Sequence, residues 1–248
     1  MITNVPRLTA ADWDSWYTAS WPALYTAGWP SLVTDKEAEY FHRTVRPRPG
    51  MTAADLGCGN GQWTRQLAAW GVKVTGYDFS AEALRQAAAA GLHDGLSYTR
   101  WNINAETIPA ALLPGSLDLV TCRHALPFLE YARALTDVGR WLKPSGSFYA
   151  LVRVAANQDN DDADDDGTTA QNDSAQEPFH RGFTEEQIDG LGIGWAHRTT
   201  YRLSAHNCGI VLRGYGDTAL TPRHAAGETS RLPAPAATPP ALEETRAR

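Results

Sequence analysis

Asp55-Leu56-Gly57-Cys58-Gly59-Asn60-Gly61 is the segment whose residue types and spacing address a ligand most directly. Glycines at alternate positions let a backbone turn tightly and approach a bound molecule, and a helix starting just after them aims free N–H groups at the same place. Spacing narrows the choice. The pattern is G-x-G-x-G, with Gln62 where dinucleotide binders keep a third glycine, and no Lys followed by Ser or Thr completes a phosphate-gripping loop. Asp55, two residues before the first glycine, would repel a pyrophosphate and attract an ammonium group, which favours a ligand with an amino-acid head. Asp78 stands 21 residues after Gly57, where an acidic side chain can accept hydrogen bonds from a ribose diol.

Such a loop needs a strand leading in and a helix leading out. Met51 to Leu56 is short, apolar and stopped by glycine, as a buried parallel strand is; a helix from about Gln62 to Trp70 and a strand from Val72 to Tyr77 then complete a β–α–β unit. The alternation continues with a helix over Ser80 to Ala90, strands over Ser97 to Asn102 and Ser116 to Cys122, and an amphipathic helix over Tyr131 to Leu142. Lys143-Pro144-Ser145-Gly146 is expected to close that helix before a strand over Ser147 to Ala155. Upstream, Thr34-Asp35-Lys36-Glu37 has capping-box spacing and opens a helix ended by Arg46-Pro47. Downstream, a helix begins near Phe183, and Arg198 to Leu203 with Cys208 to Tyr215 forms a hairpin. Strands alternating with helices imply a mostly parallel sheet covered on both faces.

Taken together, these residues resemble the class I S-adenosylmethionine (SAM)-dependent methyltransferases, in particular the group that alkylates small molecules. The likeness covers roughly Thr34 to Ala155 and is weaker through Phe183 to Tyr215. The family's D/E-x-G-x-G-x-G matches Asp55 to Gly61, its acidic end of strand two matches Asp78 in Gly76-Tyr77-Asp78-Phe79-Ser80, and its helix-ending K-P-G-G matches Lys143 to Gly146. Its D-A-E-x-L-P segment is Asn104-Ala105-Glu106-Thr107-Ile108-Pro109 here, with Asn104 replacing the aspartate that accepts a bond from the adenine amino group. An amide oxygen can accept the same bond without a charge. The resemblance implies a doubly wound, Rossmann-like α/β fold with a seven-stranded, mostly parallel sheet and a C-terminal antiparallel hairpin. It implies SAM as cofactor, contacted by Asp55, Gly57, Cys58, Gly59, Gly61, Asp78, Phe79, Asn104, Ala105 and Cys122.

Methyl transfer from a sulfonium needs alignment, desolvation and, for a protonated nucleophile, a base. In this fold the end of the fourth strand, Thr121-Cys122-Arg123-His124, opens on the site. His124 is the candidate general base, because imidazole titrates near neutrality, and Arg123 is a candidate to pair an anionic substrate group. That strand end lacks the N-P-P-Y sequence of enzymes that methylate amino groups of DNA. Four of the nine tryptophans, Trp13, Trp16, Trp21 and Trp29, fall in the first 29 residues beside Tyr17 and Tyr25. A helix capped by Thr9 would place Tyr17, a further candidate catalytic residue, and these rings over the cofactor, where aromatic faces attract a sulfonium by roughly 0.5–2 kcal/mol each. Packing on the sheet is the plainer alternative.

The chain is expected to divide into an N-terminal aromatic helical lid (1–33), a methyltransferase domain (34–218) and a Pro/Ala-rich disordered tail (219–248). Residues 157–177 hold eight acidic and no basic side chains and are expected to be a disordered insertion; setting them aside moves the formal charge from −6 to +2. A core so balanced, with no dense Lys/Arg patch, argues against nucleic acid. Within the insertion, Asp162-x-Asp164-x-Asp166-Gly167 with Asp173 imitates a calcium loop, but a polar eighth position and the missing terminal glutamate argue for a plain spacer and no metal. Cys58, Cys122 and Cys208 form no C-x-x-C pair and are expected to be buried fillers. No apolar run reaches the roughly 20 residues that span a bilayer, and no secretory pattern opens the chain, so a cytoplasmic location and no membrane partner are expected. The expected function is methylation of an O, N or C atom of a small molecule, as in specialised metabolism. The alternatives are a non-methylating SAM enzyme such as a cyclase, or a noncatalytic SAM-binding protein.

Overall fold

Two apolar clusters, one on each face of a single sheet, organise the protein. A computed structural model describes residues 7–21, 33–155, 179 and 181–216. In chain order the elements are α1 (Ala10–Ala19), α2 (Asp35–Val45), β1 (Thr52–Leu56), α3 (Gln62–Ala69), β2 (Lys73–Asp78), α4 (Ala81–Ala89) and β3 (Leu96–Arg100). There follow β4 (Leu117–Arg123), a 3-10 turn (Leu126–Phe128), α5 (Tyr131–Trp141), β5 (Leu142–Arg153), α6 (Glu185–Gly190), β6 (Trp195–Ser204) and β7 (Asn207–Tyr215). The sheet has seven strands in the order β3-β2-β1-β4-β5-β7-β6. Strands β1 to β5 pair in parallel, and β7 inserts antiparallel between β5 and β6.

Alternation along the strands assigns their side chains. Ala54, Leu56, Val120, Cys122, Phe148, Ala150 and Val152 join Leu135, Val138 and Trp141 of α5 on one face. Ala53, Val74, Leu119, Tyr149 and Leu151 join Phe41 and Val45 of α2 and Trp63 and Leu67 of α3 on the other. The order turns outward in both directions from β1 and β4, and an open α/β sheet forms its ligand crevice beyond the carboxyl ends of strands at such a switch point.

Three local features differ from the sequence expectations. Thr34 does cap α2, accepting from the Glu37 N–H at 3.2 Å, but the Glu37 side chain does not close the box; it turns into the core instead, where buried Arg123 claims it. Lys143 to Gly146 is not a loop ending α5: β5 starts at Leu142, and the four residues lie in an irregular stretch where the β4–β5 register jumps between Leu117↔Leu142 and Leu119↔Ser147. Lys143 there pairs with Asp118 at 2.8 Å. The hairpin is longer than expected, because β6 begins at Trp195 and β7 at Asn207. The acidic stretch 157–177 with its calcium-like pattern, the tail 219–248, Tyr25 and Trp29 lie outside the described residues.

Candidate active site

The glycine loop fills the gap between β1 and α3 in a conformation its neighbours impose. Gly57 and Gly59 have φ of 64° and 54°, in the left-handed region that disfavours other residues. Space is equally restrictive: a Cβ on Gly57 would lie 2.2 Å from the Ala125 Cβ, and one on Gly59 would lie 2.2 Å from the Tyr17 hydroxyl. The Cys58 N–H donates to the Tyr77 carbonyl at 3.0 Å, which ties the loop to β2.

Two carboxylates brace this loop. Asp78, ending β2, accepts from the N–H of Gly59 and of Ser80, each at 2.9 Å, and burial raises its pKa. Asp55, on the face shared by Leu119 and Thr121, is 1% exposed and accepts the Thr64 and Thr121 hydroxyls at 2.7 Å each. Burial lifts its carboxyl to about 6 against the bonds from Thr64 and Thr121 and the nearby Arg123 charge, all of which pull it down.

Above the loop runs α1, capped by Thr9 and Asp12 in a reciprocal box. Asp14 fixes it to α4, accepting from the Ser80 hydroxyl at 2.6 Å and the Glu82 N–H at 3.0 Å, while Gln86 Nε2 donates to the Tyr17 carbonyl at 3.0 Å. Trp13 meets Phe128 and Phe179 edge-on, at centroid distances of 5.1 and 5.0 Å. The Tyr17 hydroxyl rests on Gly59, and desolvation first, then Asp78, pushes its pKa well above the ordinary value.

These elements enclose a cavity of about 390 Å³, within the range of small-molecule sites. Of the expected cofactor residues, Asp55, Gly57, Cys58, Gly59, Asp78, Phe79, Asn104 and Ala105 line it, together with Tyr17, Arg123 and His124. Gly61 and Cys122 do not. Gly61 caps α3 beneath the Tyr98 hydroxyl, and Cys122, one residue out of phase with Thr121 and Arg123, faces the α5 side of the sheet with no exposed surface.

Arg123 and Asn104 are engaged differently from what the sequence led us to expect. Arg123 forks onto Glu37, Nε to Oε1 at 2.7 Å and a terminal nitrogen to Oε2 at 2.8 Å, and the Tyr149 hydroxyl donates to the same carboxylate at 3.0 Å. A buried charge requires such a partner, and the fork expected to grip substrate is given to α2. Asn104 donates to the Phe128 carbonyl at 3.0 Å and accepts from the Glu130 N–H at 2.9 Å, so its amide fastens the loop after β4. His124 has φ of 60° and donates its N–H to the Leu151 carbonyl at 2.7 Å, a strained turn of the kind found at functional sites.

Sequence reasoning missed Asp14, Phe128, Arg153, Phe179 and Arg181. Arg153 was findable, since it ends β5 on the edge of the sheet where ligands bind. The others reach the site from loops or from α1, and no local pattern marks them.

Residues 54–150 match the family model described as "Methyltransferase domain". A ubiquinone biosynthesis O-methyltransferase of Paraburkholderia xenovorans (strain LB400) is 37% identical over 98 residues, which is 39% of this chain and 42% of that protein. Phosphoethanolamine N-methyltransferase 2 of Haemonchus contortus, solved with phosphomonomethylethanolamine and S-adenosylhomocysteine, shares the fold with a TM-score of 0.63 at 14% identity, over 84% of this chain and 60% of that one. A SAM-dependent methyltransferase of Aquifex aeolicus does so at a TM-score of 0.55 and 18% identity, over 83% of this chain and 98% of that one. With the glycine loop, the braced acid at the end of β2 and the β7 insertion all in place, residues 54–150 form a methyltransferase domain on the fold of the SAM-dependent methyltransferases.

Proposed function

We propose that this protein methylates an O, N or C atom of a small molecule, holding SAM on the glycine loop between Asp55 and Asp78. The carrying observation is a cavity whose floor is that loop and whose roof is the aromatic helix α1. The residues present fit the cofactor: Gly57 and Gly59 keep side chains off the loop that lines the cavity, and Asp78, in the same wall, would accept from a ribose diol. When bound, SAM supplies an electrophilic methyl group on a sulfonium. Tyr17, Trp13 and Trp16 line the site, where aromatic rings would exclude water and attract a cation. Asn104 holds the Phe128–Glu130 loop that forms one wall, and His124 is the group placed to take a proton from the acceptor.

Relatives that match include ubiquinone biosynthesis O-methyltransferases, which supports a small-molecule acceptor here and lends no weight to specialised metabolism. None of the described helices is long and apolar enough to cross a membrane. Calorimetry of the full chain tests the reading. S-adenosylhomocysteine should bind at micromolar concentration, and Asp78→Ala should weaken it by about 1–3 kcal/mol through lost charge-assisted bonds. Unchanged binding in Asp78→Ala, or tighter binding of NAD, would overturn it.

A further inference from the structure

The acceptor side of the cavity carries chemistry of its own, whose meaning rests on the proposed methyltransferase function. Both carboxylates in the cavity wall, Asp55 and Asp78, are tied to the supports of the glycine loop. The wall made by the end of β5 and the chain that returns to it is basic. There the Phe183 N–H donates to the Arg153 carbonyl and the Ala155 N–H to the Phe183 carbonyl, each at 2.9 Å, forming a parallel bridge. A Cβ on the intervening Gly182 would sit 2.8 Å from the Arg153 carbonyl oxygen, so the two segments run in backbone contact. Arg153 and Arg181, one from each bridged segment, both line this cavity.

Arg153 differs from two other arginines of the cavity. Arg7 is paired with Glu130 and Arg123 with Glu37. Arg153 is half-buried, and among the described residues no carboxylate pairs with its guanidinium. Arg181 lies over the Phe128 ring, 5.4 Å from its centroid, and the edge of that ring meets Trp13. Phe179 completes the aromatic surface. A guanidinium such as that of Arg153, in one cavity with flat apolar rings, is the complement of a flat anion.

We propose that the methyl acceptor is an aromatic carboxylic acid, its carboxylate received by Arg153 and its ring against Phe128, Phe179 and Trp13, where Arg181 also lines the cavity. The cofactor's own carboxylate is a poorer occupant. Its amino-acid head belongs with Asp55 on β1, and Arg153 ends β5, two strands and about 10 Å further along the sheet.

The test uses the full chain saturated with S-adenosylhomocysteine, titrated calorimetrically with benzoate, 3,4-dihydroxybenzoate and indole-3-carboxylate, each beside its primary amide. At least one acid should bind roughly tenfold more tightly than its amide. Arg153→Ala should erase that difference, Arg153→Lys should restore most of it, and neither should change S-adenosylhomocysteine affinity more than about twofold. Arg181→Ala should weaken the same acid by a smaller factor, which keeps the proposal testable if the Arg153 variants do not fold. Equal binding of acids and amides, binding of none of the probes, or a matching loss of S-adenosylhomocysteine affinity in Arg153→Ala would overturn it. Failure of the wild type to bind S-adenosylhomocysteine would instead overturn the cofactor reading beneath it.

Discussion

Asp55 receives a hydroxyl hydrogen bond on each carboxylate oxygen and still sits near pKa 6, because the desolvation of a charge at the base of the sheet outweighs both bonds. Between about pH 4 and pH 6 the folded protein therefore keeps a proton on Asp55 that the unfolded chain has released. Stability from this group falls as pH rises through that window, by up to about 3 kcal/mol. Asp55→Asn abolishes the effect, and it suits the site because Thr64 and Thr121 hydroxyls can accept as well as donate. Thermal unfolding without ligand should show the variant gaining on the wild type from about pH 4 to pH 7; a gap that does not change with pH would show that this carboxyl does not titrate so. Asp55, Asp78 and the loop glycines were legible in the sequence because backbone geometry dictates residue type over a few positions. The roles of Arg123 and Asn104 were not, because Glu37 and Glu130 lie far away in the chain and only the fold brings them near.

At the scale of elements, the alternation of strand and helix patterns located every strand of the sheet, and the errors fell at ends, where one residue or one bulge decides the boundary. The start of β5 was misplaced because Lys143 to Gly146 has the composition of a helix terminator, yet the β4 pairing captures it as an irregular strand. The docking of α1 on α4 had no signal, since it rests on Asp14 and Ser80, two residues in unrelated segments. Asp14, within α1, accepts from the first turn of α4 and thus joins the two helices through one side chain. Asp14→Ala should lower unfolding stability by about 1 kcal/mol, as loss of a helix cap does, and should also quicken release of S-adenosylhomocysteine in stopped-flow measurements. If stability falls while the release rate stays at the wild-type value, α1 packs on the fold without controlling the site. Gly59→Ala is the counterpart on the floor: it meets both a left-handed φ and the Tyr17 hydroxyl, so S-adenosylhomocysteine affinity should drop at least about tenfold, and adding Tyr17→Ala should recover only part of the loss.

For the molecule as a whole, removal of residues 1–30 separates roof from floor. The two core clusters contain no residue of α1, so the truncated protein should fold and bind S-adenosylhomocysteine more weakly while losing methyl transfer. Insolubility of the truncated chain would show that Trp16 and Trp21 serve stability first, and normal turnover would show that α1 is dispensable. The sheet order has a consequence for how the protein is made. Because β7 inserts between β5 and β6, the inner strand β5 emerges from the ribosome with one edge unpaired, and its partner arrives only after α6 and β6 have been synthesised. During that interval a long apolar strand offers its open ladder to any other extended chain, and release of the nascent protein before Asn207–Tyr215 is complete would leave a species prone to aggregate rather than a smaller working enzyme.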